Sequence, residues 1–402
     1  MGRAVDRAAR QRSRLSVGEI GATRSSGRKR VLFVVNHAGF FLSHRLSVAL
    51  AAGRAGYEVH VATPASKHVP RIIESGLQWH EISLSRSGVN PLPELRTLRS
   101  LWRLYRALRP DVVHHVTSKP VLYGTIVARA AGVPAVVNAI SGVGHVFASS
   151  HGIGQAALRA IVSVGYRLAL RHRRMRVIFQ NPEHQAVFIA RRWVTPADCV
   201  MILGSGVDPV EFAPAEVPAS HGMPVVVFAS RMLYTKGLRE FVGAARRLRQ
   251  RGVWARFLLV GEPDPDNRAS VPQVEIDEWV AEGIVESCGR RSDMAAVFRG
   301  ADIVCLPSYS EGMPKVLVEA AATALPIVTT DIAGCRDIVR HEENGLLVPP
   351  RESEKLADAL ERLIKDGELR RRMGARGRQR VLDEFTLSAV IARMLSLYGE
   401  LT

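Results

Sequence analysis

The chain has 402 residues, 47% of them hydrophobic and 23% charged, and a formal net charge of +17. That length supports two ordinary domains, and that composition excludes a disordered or collagen-like chain. The four cysteines, Cys199, Cys288, Cys305 and Cys335, form no C-x-x-C pair and no metal-ligand spacing, which excludes a disulfide framework and reads as reduced thiols of a cytosolic protein.

Residues 1–29 are rich in arginine and have no apolar run, so they read as a disordered basic tail rather than a secretory signal. The charge is uneven: residues 1–200 hold 29 Lys and Arg against 9 Asp and Glu, and residues 201–402 hold 26 against 29. A polyanionic partner, nucleic acid or an anionic membrane surface, is therefore expected on the N-terminal half. A first domain, 30–205, opens with a strand over 30–35. The loop 36–41 follows, then a helix from about 43 to 53. Gly39 lies in that loop, where the missing Cβ leaves room for a substrate to approach the backbone. Phe40 and Phe41 beside it suit either a greasy or sugar-bearing acceptor or the core. Further strands are expected over 58–63, 111–116, 135–138, 177–180 and 199–202.

Two segments suggest a membrane surface. In residues 95–109 arginines recur every three or four positions beside an apolar stripe of Leu98, Leu101, Trp102, Tyr105 and Leu108. Residues 153–176 start apolar and end in Arg171, His172, Arg173, Arg174 and Arg176. Basic amphipathic helices of this kind can lie on anionic lipid, and each also fits a packed helix with a solvated basic face. No stretch offers about 18 uninterrupted apolar residues, so no spanning helix is expected.

Residues 206–222 read as a Pro- and Ala-rich linker. A second domain, 223–385, restarts with a strand over 224–229, and a closing helix occupies 386–402. Alternating strand and helix patterns argue parallel α/β sheets, with ligands at the carboxyl ends of strands.

The most informative stretch is SYSEGMPKVLVEAAATALPIVTTDIAGCRDIV. An apolar strand over 302–306 feeds a loop closed by Glu311, and Pro314 suits the first turn of the helix that follows. Glu311 then sits at the helix mouth and Glu319 in its second turn. First-turn N–H groups beside a partial positive charge fit a diphosphate, and a carboxylate accepts hydrogen bonds from two neighbouring hydroxyls. The arrangement suits a nucleotide sugar. Taken alone, the two glutamates also fit an ordinary helix N-terminus and a solvated helix residue. Arg231 and Lys236 flank the loop after the second domain's first strand. Cations there can stabilise charge growing on a leaving nucleoside diphosphate, Arg by gripping two oxygens and Lys as a point charge.

With the strand over 326–330, the turn Gly334-Cys335-Arg336-Asp337 and the later NGLLVP in this order, the chain resembles the retaining glycosyltransferases of family 4, whose hallmark is Glu, seven residues, Glu. The resemblance covers nearly all of 30–400. It implies the α/β GT-B fold, two Rossmann-like doubly wound parallel-sheet domains facing across a cleft, with the last helix crossing back to brace the first. It implies that Arg231 and Lys236 hold the diphosphate, Glu319 the ribose hydroxyls, and Glu311 the donor sugar and its positively charged transition state. Gly312, Met313, Lys315 and Val316 of the same turn, Gly39, and Arg290 near the base complete the expected nucleotide-sugar set. Family members place a histidine after the strand equivalent to 111–116. His115 is taken here as catalytic, ahead of His37, His114 and His145. His44 and Lys119 are expected near the acceptor.

No metal or other cofactor is expected. Asp264-Pro265-Asp266 has Asp-x-Asp spacing but falls in a polar loop and reads as a turn. Gly204-Ser205-Gly206 and Gly142-Val143-Gly144 lack the third glycine of a dinucleotide fingerprint. Stretches such as NHAGFFLSHR and FASRMLYTKGLREF are similar to bacterial members that build surface polysaccharide or lipid-linked glycan. The expected activity is metal-independent, retaining transfer of a sugar from a UDP donor to a polyprenyl-diphosphate-linked or other surface-glycan acceptor. The expected place is the inner face of the plasma membrane, peripherally bound. Three rivals are a UDP-N-acetylglucosamine 2-epimerase-like enzyme, a soluble sucrose- or glycogen-type transferase, and a non-enzymatic nucleic-acid binder. The last shows no recognised nucleic-acid motif, and nucleic acid is not an expected partner.

Overall fold

The structure, a computed structural model, describes residues 27–84, 91–140, 162–215 and 222–402. The expected tail up to residue 26, Gly142-Val143-Gly144, His145 and the start of the 153–176 segment lie outside the described residues. The chain divides into two compact units: Met1–Ile202 with Val390–Thr402, and Leu203–Ala389.

The first unit is built on a seven-stranded parallel sheet of order β3-β2-β1-β4-β5-β6-β7. Its elements run β1 (Arg30–Val35), α1 (Ala38–His44), α2 (Leu46–Arg54), β2 (Glu58–Thr63), α3 (Val69–Glu74), β3 (Gln78–Glu81) and α4 (Pro91–Leu108). Then come β4 (Val112–Val116), α5 (Thr125–Ala131), β5 (Ala135–Ile140), α6 (162–169), β6 (Met175–Phe179), α7 (Pro182–Ala190) and β7 (Cys199–Met201). Side chains alternate across β1, so Val31, Phe33 and Val35 face one layer and Leu32 and Val34 the other. The first set packs with Val48, Ala49 and Ala52 of α2 and with Val390, Met394, Leu397 and Tyr398 of the last helix, Leu387–Leu401. The second packs with Leu101, Leu104, Tyr105 and Leu108 of α4 and Val127 and Ala128 of α5.

Two expectations change here. Leu101, Tyr105 and Leu108, read as part of a lipid-facing stripe, are buried in this core, and Leu98 packs at its edge; Trp102 alone of that stripe is exposed. A helical stripe lying over a sheet is claimed first by the sheet. The loop expected over 36–41 is already helical from Ala38, because the His37 ring accepts a hydrogen bond from the Phe40 N–H and caps α1. The helix breaks at Arg45 and restarts as α2.

The second unit has a six-stranded parallel sheet of order β10-β9-β8-β11-β12-β13. Its elements run β8 (Val225–Ala229), α8 (Leu238–Gln250), β9 (Arg256–Val260), α9 (Gln273–Ala281), β10 (Glu286–Ser287), α10 (Met294–Arg299) and β11 (Ile303–Leu306). They continue as α11 (Lys315–Ala322), β12 (Ile327–Thr330), α12 (Cys335–Ile338), β13 (Gly345–Val348), α13 (Ser353–Lys365), α14 (Gly367–Glu384) and α15 (Leu387–Leu401). Helix α8 buries Leu238, Phe241, Val242, Ala245 and Leu248, the spacing of an amphipathic helix on a sheet. The described part of the expected linker is not loose. Val207 and Phe212 belong to this core, and Val207 pairs with Thr386.

In both sheets the strand order reverses beside the first strand, at β1/β4 and at β8/β11. Such switch points open a crevice at the carboxyl ends of the strands. Among the described residues no helix is long and apolar enough to cross a membrane.

Buried imidazoles give the fold an acid limit. His60 Nδ1 and His80 Nε2 lie 2.9 Å apart, and His60 Nε2 lies 3.1 Å from Glu58. Burial pushes His80 down to about 4 and His115 down to about 3, and lowers His114 as well. The unfolded chain protonates these rings near pH 6.5, so below that pH it binds more protons than the folded chain. Stability present above pH 6.5 is thus lost as pH falls toward the folded values. Denaturant unfolding at pH 7.5, 6 and 5 is expected to show a loss of about 1–4 kcal/mol per unit below pH 6. A flat profile over that range contradicts the neutral assignment.

Candidate active site

The switch point in the second sheet sets the loops after β8 and β11 side by side. Gly237, at φ +75°, ends the first loop; a Cβ there would lie 2.0 Å from the Pro307 carbonyl oxygen. Only a residue without a side chain lets this loop press on the end of β11. The Tyr309 N–H donates to the Thr235 carbonyl at 2.9 Å across the same seam. The contact carries Lys236 to Glu311, and the ammonium donates to that carboxylate. From the other side, Gly334 stands at φ +80° where a Cβ would lie 2.3 Å from the Gly312 carbonyl oxygen. The turn after β12 therefore also rests on Glu311 and Gly312.

Helix α11 starts from this turn. Pro314 is its extended cap residue (φ −72°, ψ 111°) rather than part of its first turn as expected, and no cap side chain accepts from the first-turn N–H groups. Gly312 and Met313 are buried, while Lys315 and Val316 are half-buried at the helix start. Glu319 is buried one turn on, with its Oε1 2.9 Å from Lys315 Nζ. Burial raises its pKa, Lys315 opposes the shift, and Glu211 adds to it. The carboxylate keeps lone pairs for a hydroxyl-bearing ligand.

Arg231 follows β8 and is half exposed; its guanidinium donates to Asp264 at 2.6 Å. Asp264, read from sequence as a turn residue, thus orients an arginine 33 positions away, a pairing with no local signal. Arg290 is exposed on the turn beside the end of β9, where the Gly261 N–H donates to the Gly289 carbonyl at 2.8 Å. Among the described residues no group of three or more His, Cys, Asp or Glu is placed to hold a metal ion.

In the first unit, the loops after β1 and β4 hold the remaining candidates. Gly39 lies in the first turn of α1. A Cβ there would meet the His37 ring at 2.9 Å and the His68 ring at 3.1 Å, so histidine rings occupy the space expected to admit a substrate. His44 stacks on Phe40 with centroids 4.0 Å apart and shares a 2.6 Å hydrogen bond with Ser43 Oγ. Phe41 is core. Lys119 pairs with Glu94 at 2.7 Å, tying the turn after β4 to the start of α4.

His115 is corrected. It is fully buried in β4; its Nδ1–H donates to Asn138 Oδ1 and its Nε2 accepts from the Tyr105 hydroxyl, both at 2.9 Å. A Cβ on Gly124 would lie 2.2 Å from Nε2, so backbone walls the ring in. A histidine with both nitrogens engaged and no exposed edge fixes the core rather than meeting a substrate. His114 faces the opposite layer and shares a 2.7 Å hydrogen bond with the Tyr398 hydroxyl. The strand end beyond them carries a feature that sequence reading missed. Thr117 is a β-branched residue at φ +76°, its Oγ1 is buried without a partner among the described residues, and an irregular π-type turn, Pro120–Gly124, follows it. Strain of this kind gathers at functional sites.

Known proteins match both units. Residues 30–181 match the family described as glycosyl transferase 4-like, and residues 223–366 the family described as glycosyl transferases group 1. The chain is 26% identical over 376 residues to the N,N'-diacetylbacillosaminyl-diphospho-undecaprenol alpha-1,3-N-acetylgalactosaminyltransferase of Campylobacter jejuni, covering 90% of this chain and 97% of that one. It is 25% identical over 325 residues to the UDP-Gal:alpha-D-GlcNAc-diphosphoundecaprenol alpha-1,3-galactosyltransferase of Escherichia coli, covering 77% and 81%. Among solved structures, HepE of Anabaena in complex with UDP and glucose aligns with a TM-score of 0.74 at 19% identity, over 93% of this chain and all of that one. That likeness speaks for the fold. The chain belongs to the family 4-like glycosyltransferases of the GT-B fold.

Proposed function

We propose that the protein is a retaining transferase that moves a sugar from a UDP-sugar to a polyprenyl-diphosphate-linked or similar membrane-borne glycan. The observation that carries this is the Lys236–Glu311 pair at the β8/β11 switch point, with the start of α11 beside it and Glu319 one turn deeper. The relatives named above transfer sugars to diphosphoundecaprenol-linked acceptors, and HepE binds UDP. Both support the choice of substrates.

In this reading the diphosphate meets the first turn of α11, with Lys236 and Arg231 as its cations. Glu319 accepts from the ribose hydroxyls. Glu311, held by Lys236, accepts from the donor sugar and faces the positive ring as the bond to phosphate breaks. Arg290 lies toward the base. The C1–phosphate oxygen bond breaks and the acceptor oxygen bonds C1 on the same face. The acceptor proton passes to the leaving phosphate, so no enzyme nucleophile takes part. In the first unit, Lys119, His44 and the strained end of β4 serve the acceptor. A membrane-borne acceptor together with a nucleotide-sugar donor supports peripheral work at the inner face of the plasma membrane.

Lys236→Ala is expected to lower kcat by about 10²–10³-fold with little change in donor KM. Glu319→Ala is expected to raise donor KM about tenfold or more with a smaller effect on kcat. Near-normal kinetics in both variants overturn the assignment. In a thermal-shift screen, UDP-sugars at about 100 times Kd should stabilise by about 2.7 kcal/mol, with no comparable effect of GDP- or ADP-sugars. Turnover of the UDP-sugar should require the lipid-linked acceptor; an epimer formed without acceptor points instead to the epimerase rival. The new linkage should keep the donor's anomeric configuration by NMR, and a sugar trapped covalently on the protein counts against the direct route.

A further inference from the structure

Helices α4, α5 and α6 form one layer over the first unit's sheet, and the outer surface of that layer has no part in the transfer reaction described above. Leu101, Leu104, Tyr105 and Leu108 turn inward from α4. Leu92, Leu95 and Trp102 turn outward and are 69%, 64% and 46% exposed. They are three and seven residues apart, which keeps them on one helical face. On α6, Val164 and Leu168 are 56% and 48% exposed. Among the described residues of the first unit, every exposed large apolar side chain lies on this layer. Helix α5 joins the two flanks: it packs on α4, and Arg129 donates to the Leu168 carbonyl at 3.2 Å.

Cations surround these apolar residues. Arg96, Arg99, Arg103 and Arg106 are exposed on α4, and Arg109 just beyond it. The Arg106 guanidinium lies 6.0 Å from the centre of the Trp102 ring. Near α6, Arg167, Arg171, Arg173 and Arg174 are exposed. The acid of α4, Glu94, is turned in and paired with Lys119, and residues 162–176 contain no acid.

A nucleic acid would engage the arginines but leave the aliphatic side chains in water. An anionic bilayer engages both classes at once: leucine and valine tips enter the acyl boundary, tryptophan sits at the interface, and arginines reach headgroup phosphates. We infer that the outer face of the α4–α5–α6 layer docks the protein onto an anionic lipid bilayer. This deepens the proposed function, since a membrane-borne acceptor gives the docking its use, yet it rests on residues that the donor site does not contain.

The experiment is vesicle flotation of the full chain at physiological salt, with phosphatidylcholine vesicles and with vesicles also containing phosphatidylglycerol. The wild type is expected to float with the anionic vesicles only. Arg96→Glu, Arg99→Glu and Arg103→Glu together are expected to lower the partition constant about 100-fold or more. Leu92→Ser, Leu95→Ser and Trp102→Ser together are expected to lower it about tenfold or more. In the wild type, lipids brominated on their acyl chains should quench fluorescence that Trp102→Phe removes. Absence of wild-type binding, binding unchanged by the arginine triple, or binding unchanged by the apolar triple overturns the inference. So does a self-association in solution that the same substitutions abolish, because the face would then belong to a second copy. An unchanged urea-unfolding transition certifies the folding of each variant, and a UDP-induced thermal shift keeps the two readings apart: vesicle binding without any UDP shift upholds the docking face while removing the donor site.

Discussion

Backbone-to-backbone contact between strand ends positions the charges of the second unit. Gly237 and Gly334 admit the carbonyls of Pro307 and Gly312 to spaces that any Cβ would fill. Lys236 is delivered to Glu311 by that packing, and the start of α11 is held between the two turns. A side chain at either glycine would wedge the loops apart and separate the cation from the carboxylate without altering either residue. Charges fixed in this way need not reorganise when a leaving group develops its own.

The features legible in the sequence were those with local causes. Apolar runs marked the buried strands of both sheets, and EGMPKVLVE marked a turn and a helix start within a few residues. What escaped depended on distant partners. His114 and His115 stand in VVHHV near a strand end, where a ligand role is natural. Tyr105, Asn138 and Tyr398, brought in from other elements, fill their ring positions instead. The stripe on α4 had the right period, but period alone does not say whether a sheet or a lipid lies beneath it. Asp264 beside Arg231, Glu94 beside Lys119 and the left-handed Thr117 have no signature in the neighbouring residues.

The two units also treat their arginines differently. In the second, Arg246 pairs with Glu282, Arg251 with Asp358 and Glu361, Arg256 with Glu286, and Arg362 with Glu342. Each such exposed pair adds little stability, but each cancels a charge. The outward arginines of α4 lie on a helix whose acid is turned inward, so their field extends into solvent over about a Debye length, roughly 8–10 Å. The contrast in composition between the halves of the sequence is thus a contrast in surface potential.

The last helix has a bearing on biosynthesis. Val390, Met394, Leu397, Tyr398 and Leu401 fill one face of a core whose other members lie within the first 202 residues. A ribosome delivers those early residues first and their missing wedge only after the whole of Leu203–Ala389. The N-terminal unit must therefore wait, one apolar side open, until residues 390–401 have been made, after every residue of Leu203–Ala389. Maturation of this polypeptide runs against the direction in which it is made.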